Sequence, residues 1–118
     1  MRVLLGIDGA DDSLEALRRT LERAAEAGDE LTVAITDDET VAEIEDEVET
    51  TLEASDVDAE IRHVTGDPGS TLVDVAESEG YDRIVLSGGT TSPMGKIQLG
   101  ATAEFVLLNS HVSVTLVR

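Results

Sequence analysis

The chain has no cysteine and no tryptophan, and its 118 residues include one tyrosine, one phenylalanine, one lysine and two prolines. Without cysteine, disulfides, thiol redox chemistry and thiolate metal ligation are excluded together. Positive charge is also scarce: 8 Lys plus Arg stand against 26 Asp plus Glu, a formal net charge of −18 at pH 7. Such a field repels phosphate backbones and anionic lipid, which excludes nucleic-acid binding through a basic face. No apolar run approaches the ~20 residues that a membrane-spanning helix needs. The opening Met1-Arg2-Val3-Leu4-Leu5 meets Asp8 too soon for a signal peptide. These absences lead us to expect a soluble, cytoplasmic protein.

What is present is a core. Hydrophobic residues make up 41% of the chain and charged residues 29%, a balance that folds, and the length suits one domain two layers deep. Twelve of the 26 carboxylates fall between Asp37 and Glu60, a stretch with no Lys or Arg. Such a run is a solvated face or, alternatively, a cation or partner site. An acid-rich, lysine-poor surface around an aliphatic core also suits multimolar intracellular salt, where screening collapses the self-repulsion. It speaks to environment, not to chemistry.

Five strand-like runs alternate with four helical patterns. Arg2 to Asp8 is almost continuously apolar, as a central parallel strand covered on both faces must be. A helix follows, with Asp12 and Glu15 as a capping pair and Leu14, Leu17, Leu21 and Ala24 along one stripe. Leu31 to Thr36 reads as the second strand. Thr40 and Glu43 then open a helix with Val41, Ile44, Val48 and Leu52 inward and its acids outward. Val57 to Val64 alternates, with Val57, Ala59, Ile61 and His63 on one face and Asp58, Glu60 and Arg62 on a wet face, which places it at a sheet edge. Gly66-Asp67-Pro68-Gly69 launches a short helix carrying Leu72, Val75 and Ala76. Ile84-Val85-Leu86 is a fourth, central strand. After a Gly/Ser/Thr/Pro loop, a helix is expected from about Ile97 to Asn109 with Leu99, Ala103, Val106 and Leu107 inward, and Val112 to Val117 is the last strand.

Strict alternation predicts an α/β fold: a single-domain, open, parallel five-stranded sheet with helices on both faces. Right-handed crossovers, with strands one and four central and strand three at an edge, give the order 3-2-1-4-5. That order reverses between strands one and four. Ligands in such folds bind at the carboxyl ends flanking the reversal, which here are Ile7-Asp8-Gly9 and Ser87-Gly88-Gly89.

The stretch from Ser87 to Lys96 carries glycines that let backbone N–H groups approach a ligand, hydroxyls at Thr90, Thr91 and Ser92, and the single lysine. The early turns of the last helix, Gly100-Ala101-Thr102, add positive potential from the helix N-terminus. This is the one place where local donors are seen to oppose the global field. Neither a P-loop nor a dinucleotide GxGxxG is present, and a Gly-rich connection with no ligand accounts for the same residues. Asp8 either caps the following turn or accepts a hydrogen bond from a ribose or base.

Val3-Leu4-Leu5-Gly6-Ile7-Asp8-Gly9, the Gly66-Asp67-Pro68 turn, Tyr81-Asp82-Arg83-Ile84-Val85-Leu86 and the closing stretch from Gly100 to Val117 resemble the universal stress protein family along essentially the whole chain. The resemblance implies an adenine-nucleotide alpha-hydrolase-like fold, one domain over residues 1–118, and a homodimer joined through the last strand. Val112, Ser113, Val114, Thr115, Leu116 and Val117 are then the interface residues; an unpaired apolar edge needs such cover.

Many members bind ATP through G-x2-G-x9-G-[ST]. Counted back from Gly100, the motif positions here hold Ser87, Thr90, Gly100 and Ala101, so one of the four is kept. The stretch Ser92-Pro93-Met94-Gly95-Lys96 is similar to the loop of acid-rich members. Loss of the hydroxyl at Ala101 costs about 1–3 kcal/mol if it bonded a charged phosphate, roughly 10- to 100-fold in affinity. The resemblance implies a nucleotide site at Ile7, Asp8, Ser87, Gly88, Gly89, Thr90, Lys96, Gly100, Ala101 and Thr102, with Asp8 at the nucleoside. The short step from Thr36 to Thr40 leaves no segment to close as a lid, which suits binding and sensing better than hydrolysis.

No catalytic constellation or metal set is apparent: His63 and His111 have no partner Ser, Asp or Cys in a recognisable pattern. Asp37 and Asp38 are superficially like a phosphoacceptor receiver, but the third strand ends in Val64-Thr65-Gly66 where the acceptor Asp belongs. Two functions remain. One is a non-enzymatic dimeric stress protein with a degenerate adenine-nucleotide site that binds ATP weakly or not at all. The other is a sensor that binds ATP or another adenine nucleotide through a modified Gly-rich loop.

Overall fold

The computed structural model describes residues 1–7, 11–36, 41–87, 90–91, 97–98 and 100–117. In chain order the elements are β1 (Arg2–Ile7), α1 (Asp11–Ala27), β2 (Glu30–Ile35), α2 (Val41–Glu53), β3 (Ala59–His63), α3 (Pro68–Ser78), β4 (Arg83–Ser87), β5 (Thr90–Thr91), β6 (Ile97–Gln98), α4 (Ala101–Asn109) and β7 (Ser113–Val117). The main sheet has the order β3-β2-β1-β4-β7 and every pairing in it is parallel. This is the 3-2-1-4-5 arrangement expected from the apolar runs, with β7 as the fifth strand.

Alternation along the strands divides the core in two. Val3, Leu5 and Ile7 of β1 join Leu31, Val33 and Ile35 of β2 beneath Leu17 and Leu21 of α1 and Ile44 and Val48 of α2. Leu4 points the other way, with Ala34, Ile84 and Leu86, toward Leu72 and Ala76 of α3 and Ala103 and Val106 of α4. On that second face Gly6 matters for packing: a Cβ there would stand 2.8 Å from Leu72 Cδ1 and Leu86 Cδ2. Its lack of a side chain lets α3 close on the sheet.

Capping explains where α3 starts. The carboxylate of Asp67 accepts a hydrogen bond from the Ser70 N–H at 3.0 Å, and Pro68 opens the helix with no N–H to orphan. The acids of α2, Glu43, Glu45, Asp46, Glu47, Glu49 and Glu53, are all exposed, as its stripe required.

Four local expectations need correction. First, α1 already includes Asp11, so Asp12 lies inside the helix instead of capping it, and Glu15 pairs with Arg19 at 3.1 Å and Arg18 at 3.6 Å. Second, β3 is shorter than Val57 to Val64, and His63 is exposed rather than inward, because the strand lies at the rim where α2 no longer covers its end. Third, the last helix begins at Ala101, since Ile97 and Gln98 pair antiparallel with Thr91 and Thr90 in a two-stranded ribbon. Fourth, Leu107 is 42% exposed; in a nine-residue helix that is apolar almost all round, only Ala103 and Val106 can face the sheet. The expected roles of Thr40 and Leu99 lie outside the described residues.

A buried pair of polar side chains that spans the sheet is checkable. The Tyr81 hydroxyl donates to Thr32 Oγ1 at 2.9 Å, both residues being buried, and Arg2 lies over the Tyr81 ring with its guanidinium carbon 4.4 Å from the centroid. Tyr81→Phe strands the Thr32 hydroxyl and is expected to cost about 1–2 kcal/mol, read as a lower urea midpoint at unchanged slope.

Candidate functional site

The carboxyl ends of the strands are laced together by backbone and hydroxyl groups. The Ile7 carbonyl accepts both the Thr36 N–H at 2.8 Å and the Thr36 hydroxyl at 3.1 Å, and the Ile35 carbonyl accepts the Val64 N–H at 3.0 Å. Thr71 Oγ1 donates to the Thr65 carbonyl at 3.1 Å, which ties the start of α3 to the same rim. This end of the sheet is a fixed platform.

The sheet order reverses at the β1–β4 pair, where Leu5 lies opposite Val85. Carried two residues further along both strands, that register sets Ile7 level with Ser87, and Ser87 in turn pairs with Val117 of β7. The helices that follow these two strands pack on opposite faces, α1 on one and α4 on the other, the topology at which a ligand crevice is expected. Ile7 itself is buried in the floor, and Ser87 is half-buried at the edge.

All four positions counted from the nucleotide motif have a place. Ser87 ends β4, Thr90 begins the ribbon opposite Gln98, Gly100 is the N-cap of α4 and Ala101 is its first residue. Because β4 and β7 run parallel, α4 must return antiparallel to them, which brings its N-terminus to the carboxyl rim. Among the described residues no side chain caps α4, and Gly100 itself offers the first-turn N–H groups of Ala101, Thr102 and Ala103 no side-chain acceptor. The first internal bond is the Glu104 N–H to the Gly100 carbonyl at 3.0 Å.

Gly100 is informative for what does not require it. Its φ of −70° and ψ of 163° suit any residue, and among the described residues a Cβ added there meets nothing within 4 Å. Gly69, by contrast, lies against Phe105, whose Cδ1 would be 2.9 Å from such a Cβ. Packing therefore accounts for Gly69, whereas among the described residues nothing packs against Gly100 in a way that requires glycine. A bare backbone at a helix N-terminus is what close approach by an anion uses.

Asp8, Gly88, Gly89 and Lys96 lie outside the described residues, so their expected roles are neither met nor opposed. The ribbon was not foreseen: two-residue strands carry no periodicity, and only its pairing shows that residues 91 and 97 are held side by side. The histidines do not converge. His111 Nδ1 lies 2.9 Å from Glu77 Oε1, and His63 is on the opposite edge strand. Among the described residues, no group of three His, Asp or Glu side chains is arranged to hold a metal ion.

The separation of packing from function at Gly100 is testable. Gly100→Ala is expected to lower the unfolding free energy in urea by no more than about 1 kcal/mol, the cost of an unfavourable N-cap residue without a steric clash. Leu72→Ala, which empties a fully buried site, is expected to lose about 2–5 kcal/mol in the same assay.

The comparisons with known proteins agree with this geometry. A universal stress protein solved in complex with cAMP is 29% identical to the chain, with a TM-score of 0.82 over 100% of this chain and 96% of that one. A protein of Mycobacterium tuberculosis H37Rv is likewise 29% identical, with a TM-score of 0.65 over 99% and 94% of the two chains. A universal stress protein from Archaeoglobus fulgidus, at 21% identity and a TM-score of 0.82 over 100% and 98%, shares the fold. Among curated protein sequences none matches. The sequence model of the universal stress protein family matches residues 34–118, from the end of β2 through β7 and the whole of the motif region. On that match and this fold, the chain belongs to the universal stress protein family.

Proposed function

We propose that residues 1–118 form one universal stress protein domain that binds an adenine nucleotide, with no catalytic role, in the crevice between the end of β1 and the stretch from Ser87 to Thr102. The observation that carries this reading is Gly100, a helix N-cap that neither packing nor backbone conformation requires, beside uncapped N–H groups. A relative of 29% identity over the whole chain, solved with cAMP, supports the same ligand class. In this reading Ile7 and Asp8 meet the nucleoside, and Ser87, Gly88, Gly89, Thr90, Lys96, Gly100, Ala101 and Thr102 surround the phosphate.

The site favours one phosphate over three. Ser87, Thr90 and Ala101 stand where the ATP motif has Gly, Gly and Ser or Thr, so the donors around a polyphosphate are reduced. The field of a chain at −18 also opposes a multiply charged triphosphate more strongly than a singly charged cyclic monophosphate. ATP binding is accordingly weak or absent. Among the described residues no group of His, Asp or Glu is arranged to hold a metal ion, and the function proposed is recognition coupled to a stress response.

The working unit is a homodimer. The residues of β7 from Val114 to Val117 are half-buried at an open sheet edge, and the neighbouring α4 presents Leu107 and Leu108, the latter 77% exposed. A second copy pairing along Val112 to Val117 covers both. The environment is the salt-rich cytoplasm of a halophile, where the exposed acids of α2 stay hydrated and mutually screened.

Calorimetry with cAMP and ATP tests the site. Saturable heat is expected for cAMP, weaker or none for ATP, with Gly100→Val and Asp8→Ala each reducing cAMP affinity at least tenfold, about 1.4 kcal/mol. Absence of heat with both nucleotides at millimolar concentration removes the nucleotide reading and leaves a dimeric interaction module. Sedimentation tests the assembly: a dimer in multimolar KCl is expected, converted to a monomer by Leu107→Asp with Leu108→Asp. The urea midpoint is expected to rise steadily with KCl, and a midpoint independent of salt contradicts the environmental reading.

A further inference from the structure

A second place on the molecule opposes its negative field, on the α1 side of the sheet and with its arginines toward the amino ends of β1 and β4. A cavity of about 410 Å³ lies between α1 and the β4–β7 edge. Its cause is topological: α1 and α2 cover β1, β2 and β3 on this face, while α3 and α4 pack on the other. The floor is Val3, Val85 and Val117, residues of one strand face by the β1–β4 and β4–β7 registers.

Three of the seven arginines, Arg19, Arg23 and Arg83, line this cavity. Arg19 is engaged by Glu15 at 3.1 Å, and the one acid in the lining, Asp29, is neutralised by the N-terminal ammonium at 3.1 Å. Arg23 and Arg83 form no ion pair among the described residues, although Glu22 and Glu26 share a helix with Arg23. Arg83 is half-buried, and its Nε is the buried side-chain nitrogen that has no hydrogen-bond partner there. In a chain with 26 carboxylates, an unpaired guanidinium with a desolvated N–H is a costly arrangement.

A carboxylate resolves it. The guanidinium fork presents parallel N–H donors that match the two oxygens of a carboxylate, and Arg23 adds a second charge from the helix wall. The apolar floor then takes the rest of the ligand. A monoanion is favoured over a dianion, since two free cations must act against a field of −18.

We propose that the groove between α1 and the β4–β7 edge binds a small aliphatic carboxylate, its head on Arg83 and Arg23 and its hydrocarbon on Val3, Val85 and Val117. This site is separate from the nucleotide crevice and does not depend on it. Thr115, Leu116 and Val117 of its lining also belong to the edge along which a second copy is proposed to pair.

The test is a proton–nitrogen NMR titration of the full chain, at the lowest KCl that keeps it folded, with hexanoate, hexanamide and inorganic phosphate as separate probes. Hexanoate is expected to give saturable shifts at the amides of Val3, Val85 and Val117 and at the Arg83 Nε–H, while Ala101, Thr102 and Ala103 stay unmoved. Hexanamide is expected to bind at least tenfold more weakly, and Arg83→Met to weaken hexanoate by at least tenfold. Arg23→Gln, on the exposed helix wall, is expected to weaken it several-fold and serves if Arg83→Met does not fold. No saturation with hexanoate overturns the proposal. Equal binding of hexanamide overturns the role of charge, tighter binding of phosphate overturns the role of the apolar floor, and unchanged affinity in the arginine variants overturns the assignment.

Discussion

The strand β1 is the constraint on which the rest of the structure depends. It pairs on both sides, with β2 and with β4, and buries both faces: Val3, Leu5 and Ile7 beneath α1 and α2, Leu4 beneath α3 and α4. A strand enclosed this way can hold no charge along its length, and from Val3 to Ile7 it holds none. Because β1 is central, the winding reverses beside it, at the β1–β4 pair where the nucleotide crevice is proposed. The last residue of the buried run, Ile7, is also the acceptor for two hydrogen bonds from Thr36. Core formation and site placement are thus one event.

The charge of the chain has a different logic. On α2 every acid is exposed, so most of the negative field is external to both layers of the core. The field nevertheless selects ligands, because any anion must meet donors that outweigh it. Two regions supply such donors: the start of α4 with its uncapped N–H groups, and the groove holding Arg23 and Arg83. They differ in kind. One offers backbone dipoles around a glycine, the other fixed charges over an apolar floor.

Much of the architecture is legible in the residues. Continuous apolar runs marked β1 and β4 as central, the alternation from Val57 marked an edge, and Asp67-Pro68 marked the start of α3, because burial and capping act on each residue locally. The failures have equally local causes. The ribbon joining Thr90–Thr91 to Ile97–Gln98 is too short for any period to form. In α4, Leu107 has the right residue type to face inward but sits on a helix with more apolar positions than the sheet can cover. The arginine groove was invisible for a third reason: Arg19 and Arg23 are one turn apart on α1, yet Arg83 joins them only through the crossover topology. Of the proposed crevice, the strand order and the places of Ser87 and Gly100 on their elements followed from periodicity and motif counting, whereas the open space around Gly100 among the described residues required the surrounding atoms.

The central claim is that the carboxyl rim beside β1 and the N-terminus of α4 together hold an adenine nucleotide. Amide shifts on adding cAMP to isotopically labelled protein read this most directly, since they report position as well as binding. Saturable shifts are expected at Ile7, Ser87, Ala101, Thr102 and Ala103, with Arg2, Val3 and Arg83 at the opposite ends of the same strands unmoved. Shifts centred anywhere else, or none at saturating nucleotide, contradict it.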